Sequence, residues 1–409
     1  MLSSRIRALE ESATLALSAR AAALRAAGRE VISFTAGELD LPPPPAVLEA
    51  VGQALARGQT RYTPTGGTPE LRAAIAAAIE RDTGIAYRPE QIVVSNGAKQ
   101  SLYNLLQVLC EPGDEVIIPR PYWVSYPAMA RLAEAVPVLV ETRAADGFKL
   151  TAAALEQALG PRSRVLVLNS PNNPTGAVYE EAELRQLAEV VLAHPRLFVI
   201  ADAIYGKLVF DRPAAPSLLR AAPQVRERAA LVDGVSKTYA MTGFRIGWAA
   251  GPREVMEGCL RLQSHSTSCA AAPCQAAALA ALTGGEEPLA AVRALLAERR
   301  RLMVERLQRL PGLALVPPQG AFYCFPSVAA WLGQSVAGSC PQSTEQLCQL
   351  LLEHAQVALV PGEAFGAPGH VRLSFALATE ELVRGLERLE GFLREQAPAA
   401  LPQKPAAPA

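Results

Sequence analysis

Four short polar clusters stand out by residue type: SNGAKQ at 95–100, NSPNNPTG at 169–176, DAIY at 202–205 and VSK at 235–237. Each follows an apolar, strand-like run, and open α/β sheets bind ligands in the crevice at the carboxyl ends of their strands. In SNGAKQ a strand breaks at Asn96 and Gly97 and a helix begins. The unpaired amides of Gly97, Ala98 and Lys99 can then cradle a phosphate at the positive helix end. A strand-to-helix turn with an asparagine cap accounts for the same residues without a ligand. NSPNNPTG is a rigid loop able to present an amide side chain at a fixed position, or else a plain surface turn. Asp202 directly follows an apolar run, where an unpaired carboxylate is costly to bury, so it caps a helix or pairs with a cation. Tyr205, three residues on, falls on the same side of a following helical turn. Lys237 follows Ser236, and Arg245 stands eight residues later in TYAMTGFRIGW. A lysine at such a place is ordinarily a surface residue, but a partly desolvated one near other cations has a lowered pKa and becomes a Schiff-base nucleophile. Arg245 and the Ser236 hydroxyl would then suit a bound phosphate.

Positioning these clusters requires a βα alternation, and the sequence between Ala46 and Gly251 supplies one. Seven runs predict strands: QIVVS near 91, EVIIP near 115, VPVLVE near 136, RVLVLNS near 164, LFVIAD near 197, ALVDGVS near 230 and IGWAAG near 246. Their nearly continuous apolar character suits a mostly parallel sheet covered on both faces. Apolar residues at helical spacing predict a connecting helix over 288–309. Two further strand candidates, GAFYCF at 320 and HVRLSFA at 370, belong to a smaller α+β domain. The fold class is thus α/β, with a large domain over 46–287 and a small one from 1–45 and 310–396. Residues 397–409, rich in Pro and Ala, read as a disordered tail.

Composition narrows the function. The chain has 409 residues, 39 Lys plus Arg against 39 Asp plus Glu, so no strong field draws it to nucleic acid or an anionic membrane. No 18-residue apolar run and no signal-peptide pattern occur, which makes a cytoplasmic location the expectation. The seven cysteines are scattered and never form C-x-x-C, and the four histidines form no H-E-x-x-H, so neither a disulfide framework nor a metal site is expected.

Taken together, the clusters resemble the class I (fold type I) pyridoxal phosphate (PLP) aminotransferases, and most of all their bacterial aspartate aminotransferase subgroup, which includes aspartate/prephenate enzymes. SPNNPTG and SKTYAMTGFRIGW, in order and at their spacing, carry the resemblance, which runs from SFTAGELD (33–40) through RYTPTGGTPELR (61–72) to HVRLSFA (370–376). The resemblance implies Lys237 as the Schiff-base lysine and Asp202 as the partner of the pyridinium nitrogen. Asn173 and Tyr205 would meet the ring hydroxyl oxygen, and Trp123 would stack on the ring. Gly97, Ala98, Lys99, Ser236 and Arg245 would hold the phosphate, with Tyr62 reaching it from the partner subunit of a homodimer with shared active sites. Arg372 would grip the substrate α-carboxylate, with Asn173 and the Gly37 backbone. Lys99 would bind the distal carboxylate of aspartate or glutamate, assisted by a partner hydroxyl from QSHSTSC (263–269).

The implied activity is ping-pong transamination between an L-amino acid and 2-oxoglutarate or oxaloacetate. Rivals are another amino-acid specificity or β-elimination on the same fold, and a DNA-binding regulator, for which the ~45 residues preceding the large domain are too few. This chain departs from the family pattern at Gly234, where many members carry a serine, and in AGELDL, where AGEPDF is commoner. Residues 333–342 look like an added loop.

Overall fold

A computed structural model describes residues 1–7, 9 and 13–397. The tail assigned as disordered lies outside the described residues from 398 onward. Twelve strands are described: β1 (Ile32–Ser33), β2 (Ile92–Ser95), β3 (Glu115–Arg120), β4 (Val136–Glu141), β5 (Ser163–Asn169), β6 (Phe198–Asp202), β7 (Ala229–Gly234), β8 (Gly247–Ala250), β9 (Tyr323–Cys324), β10 (Val357–Ala358), β11 (Val360–Pro361) and β12 (Val371–Ser374).

The central sheet has the order β2-β8-β7-β6-β5-β3-β4. All its pairings are parallel except those of β8, which runs antiparallel to both β7 and β2. The strands are apolar throughout because both faces are buried. Val165 and Val167 belong to one core, and Leu166 and Leu168, pointing the other way, belong to a second. Since β2 and β7 share the direction of β5 and β6, the four polar clusters meet at one edge. Asn169 and Asp202 are register partners there.

Toward the carboxyl-terminal part, β9 pairs with β12 and β12 with β11, all antiparallel, while β1 pairs in parallel with β10. The helix Glu287–Gln308 agrees within a residue with the one expected over 288–309. Its buried Arg299 holds Asp40 through two bonds of 2.7 and 2.9 Å, tying the chain that follows β1 to this helix. The segment 333–342 is not a detached loop: Val336 is fully buried, and the Ala337 amide donates to Gln396 at 2.8 Å.

Candidate active site

At the carboxyl edge of the sheet lies a cavity of about 320 Å³, lined among others by Lys99, Trp123, Asn173, Asp202, Lys237 and Arg372. Its lining also includes Gly37, Ala98, Tyr205, Ser236 and Arg245. Residues separated by more than 330 positions, from Gly37 to Arg372, thus share one wall.

The phosphate-type cradle has a specific local cause. Gly97 takes φ +84° and precedes the helix Ala98–Leu109 with no side-chain cap. The expected asparagine cap is therefore not made; instead the Asn96 amide donates to the Gln100 side chain at 2.6 Å. The amides of Ala98 and Lys99, in the first turn, have no intrahelical acceptor and stay open to an anion. A Cβ at Gly97 would collide with the Arg245 guanidinium, so the glycine makes room for that cation. Arg245 itself adopts φ +57° and donates to the Thr242 carbonyl at 2.7 Å.

Among the described residues Asp202 neither caps a helix nor forms an ion pair, in contrast to the alternatives its sequence position suggested. It accepts from the Tyr126 hydroxyl at 2.6 Å and from the Ile204 amide at 3.2 Å. Burial pushes its carboxyl up to about 6, while these two donors and the charge of Lys237 pull the other way. Residues after it form a turn, not a helix, and place Tyr205 with its hydroxyl 3.0 Å from that of Tyr323.

Lys237 is held in a short helical turn, Val235–Thr238, immediately after β7. Its Nζ donates to the Gly37 carbonyl. Burial lowers its pKa to about 8; Glu38 opposes, and the cations Arg372, Arg245 and Lys99 add to the lowering. The Lys237 amine thereby gives up its proton far more readily than an ordinary lysine does. Lys99 points its Nζ over the Trp123 ring, 4.9 Å from the centroid, and its pKa falls through burial and then Arg245. Arg372, on β12, is 3% exposed. It donates to Asn173 Oδ1 at 3.0 Å and to the Thr35 carbonyl at 2.9 Å, and its buried Nε finds no partner among the described residues. A buried guanidinium with donors to spare is a seat for a carboxylate.

A model of the aminotransferase class I and II family matches residues 29–389. The chain belongs to the class I and II aminotransferases. It is 45% identical to an aspartate aminotransferase of Streptomyces avermitilis over 96% of this chain and 97% of that protein. It is 42% identical to an aspartate/prephenate aminotransferase of Cereibacter sphaeroides, covering 96% and 98%. Among solved structures, the aspartate aminotransferase of Rhizobium meliloti superposes with a TM-score of 0.93 at 42% identity, over 96% of this chain and 99% of that one.

As an aminotransferase of this family the protein depends on PLP. The residues present fit that group. The open helix amides with Ser236 and Arg245 suit its phosphate, the buried Asp202 carboxylate suits a ring nitrogen, and Lys237 suits its aldehyde. Gly234, the departure from many aminotransferases, also has a local reason: a Cβ there would lie 2.9 Å from the Ile246 carbonyl oxygen and 3.0 Å from the Gly247 Cα.

Two expected residues stand outside the cavity lining. The Gly97 amide, expected to be open to a phosphate, instead donates to the Ser95 carbonyl at 2.7 Å. Tyr62 is 91% exposed and stands outside the lining within this chain. Of the QSHSTSC segment, Gln263 is fully buried and accepts from Ser95 and Asn104, while the Thr267 hydroxyl accepts from Gln100 at 2.6 Å. Sequence reasoning missed Tyr126, Asn169 and Tyr323. Tyr126 lies in the same PYWVSY string as Trp123, and Tyr323 in GAFYCF, so both were within reach of a search for buried phenols near strand ends.

Proposed function

We propose that the protein transfers the amino group of aspartate or glutamate to 2-oxoglutarate or oxaloacetate by a two-stage, ping-pong exchange. The observation that carries this substrate class is the pair of cations in one cavity: the buried Arg372 at one wall and Lys99, on the exposed side beside Trp123, at another. A dicarboxylate would engage both, whereas a monocarboxylic amino acid engages Arg372 alone and leaves Lys99 with only the Trp123 ring. The names of the relatives from Streptomyces and Rhizobium agree with this reading.

When bound, PLP supplies an aldehyde for the amino group and a ring that takes up the electron pair left at the substrate α-carbon. Asp202, Asn173, Tyr205, Trp123, Ser236, Arg245 and the amides of Ala98 and Lys99 would hold it. Arg372 and Asn173, with the Gly37 backbone, orient the α-carboxylate and so fix which face of the α-carbon meets Lys237. The Lys237 amine, its pKa lowered to about 8, would take the α-proton at Nζ and hold it beside the substrate for return. Trp123 and the chain around Gly37 limit water at that point.

The reading extends to assembly and layout. The protein works as a homodimer in which Tyr62 and a hydroxyl of 263–269 complete the neighbour's site, in the cytoplasm, with no nucleic acid as ligand. No described helix is long and apolar enough to cross a membrane. The large domain spans 46–287 and the small one 1–45 and 310–396, joined by 288–309. A panel of amino acids assayed against 2-oxoglutarate and oxaloacetate tests the substrate class: aspartate and glutamate should lead by at least about tenfold in kcat/KM, and a better rate with alanine would refute it.

A further inference from the structure

The mechanism above leaves out a buried phenol that touches both halves of the site. Tyr323 is 1% exposed and lines the cavity. Its ring lies under Arg372, with the guanidinium carbon 4.4 Å from the ring centroid, and Phe365 lies 5.1 Å from the same carbon. Its hydroxyl is 3.0 Å from that of Tyr205. Strand pairing makes this arrangement rigid, since Tyr323 is the register partner of Ser374, two residues beyond Arg372 on β12.

We infer that Tyr323 is a positioning residue with two separable duties: its ring face seats the Arg372 guanidinium, and its hydroxyl orients that of Tyr205. For the first, a cation whose hydration has been stripped gains most from an aromatic face, and Arg372 has no carboxylate among its hydrogen-bond partners. The ring thus holds the guanidinium in place before the substrate arrives. For the second, one hydrogen is shared between the two phenol oxygens. The guanidinium stacked 4.4 Å from the Tyr323 ring centroid makes that hydroxyl more acidic, and burial makes the Tyr205 hydroxyl hold its proton more tightly, so Tyr323 is the better donor of the pair. With Tyr323 donating, the hydrogen of Tyr205 is free to be given to an oxygen in the cavity. The residue therefore links the carboxylate seat to the cofactor side.

This inference rests on the proposed site, in which Tyr205 faces the cofactor ring hydroxyl. The test uses purified holoenzyme and two readouts that need no turnover: the pH midpoint of the bound cofactor's absorbance band, and the dissociation constant of maleate. A donor at Tyr205 stabilises the deprotonated ring oxygen, so Tyr323→Phe, which keeps the ring, should raise the midpoint by about half a unit or more. Maleate affinity should stay within about threefold. Tyr323→Leu, which removes the ring, should weaken maleate about tenfold or more. In a Tyr205→Phe background, Tyr323→Phe should produce no further shift in midpoint. An unchanged midpoint in Tyr323→Phe, a shift that persists without the Tyr205 hydroxyl, or wild-type maleate affinity in Tyr323→Leu overturns the inference while leaving the proposed site standing. A wild-type protein without a cofactor band overturns both.

Discussion

Lys99 has two conceivable employers, the cofactor phosphate through its backbone amide and the substrate through its ammonium group. The side chain lies along the face of Trp123, in the cavity wall, and burial has already weakened its hold on its proton. An ammonium so placed is partnered best by a substrate's distal carboxylate, and losing one charge-assisted contact costs about 1.5–3 kcal/mol. Lys99→Ala should therefore lower kcat/KM for aspartate about ten- to a hundredfold while changing the rate with alanine far less. Equal losses for the two substrates, measured by steady-state kinetics, would assign Lys99 to the cofactor. Lys237→Ala is the more severe change, since no other described side chain in the cavity wall combines an amine with proximity to Gly37. Retained transaminase activity above about a thousandth of wild type would contradict its role. Tyr126 acts one step away. Its hydroxyl is among the influences that hold the Asp202 carboxyl down against burial. Tyr126→Phe should raise the Asp202 pKa, followed by carbon-13 NMR of the apoprotein, by about half a unit to one unit.

At the scale of elements, the site depends on how closely β8 approaches the helix Ala98–Leu109. A Cβ at Gly247 would enter the backbone of Gly97 and Ala98, the peptide that opens the anion cradle. Gly247→Ala must push the helix start away, at about 1–3 kcal/mol of stability. Thermal melts should fall by several degrees, and cofactor content after dialysis should drop with them; full cofactor retention would show that the cradle tolerates the shift. The same elements show what can be read from sequence. All seven strands of the central sheet were legible because each is a short, mostly apolar run ended by polar residues or glycine, as at Phe198–Asp202. β1, β10 and β11 were not, because two residues carry no period and are fixed by partners far along the chain, Ile32 by Val357 and Pro361 by Val371. The segment 333–342 read as an added loop because its Gly and Ser content hides the burial of Val336. Within the site, residues at strand ends announced themselves. Tyr126 and Tyr323 did not, since each is an ordinary buried aromatic until folding sets its hydroxyl beside Asp202 or Tyr205.

At the scale of the whole molecule, a buried carboxyl bears on stability and exposed apolar side chains bear on assembly. Asp233, beside Lys207 in a small cavity behind β7, has its carboxyl pushed up to about 8 by burial, with the Gly234 amide and Lys207 opposing. Its folded pKa lies above the unfolded value, so the folded state holds the extra proton between about pH 4 and 8, and the stability this gives is lost as pH rises through that window. Asp233→Asn should consequently gain in melting temperature over wild type at pH 9 and gain little at pH 5; the opposite order would mean that Asp233 is charged throughout. Assembly poses the remaining question. Tyr62 projects from the chain at 91% exposure, and Leu48, Leu55 and Leu260 are exposed large apolar residues as well. Leu260 packs against Gly66 beside a groove of about 440 Å³ that runs along the helix Arg253–Ser264. In the homodimer proposed above, a second copy of this chain would cover this aromatic ring and these aliphatic side chains by two-fold symmetry. In such a dimer Tyr62 of one protomer would enter the site that holds Lys237 of the other. Tyr62→Ala and Lys237→Ala homodimers should each be impaired, yet a heterodimer of the two carries one site with both wild-type residues. Mixing after reversible dissociation should restore up to about a quarter of wild-type activity, the statistical share: half the dimers are hybrids and half of their sites are intact. Hybrids demonstrated by mass spectrometry that remain as inactive as the Lys237→Ala parent would show that each protomer builds its site alone.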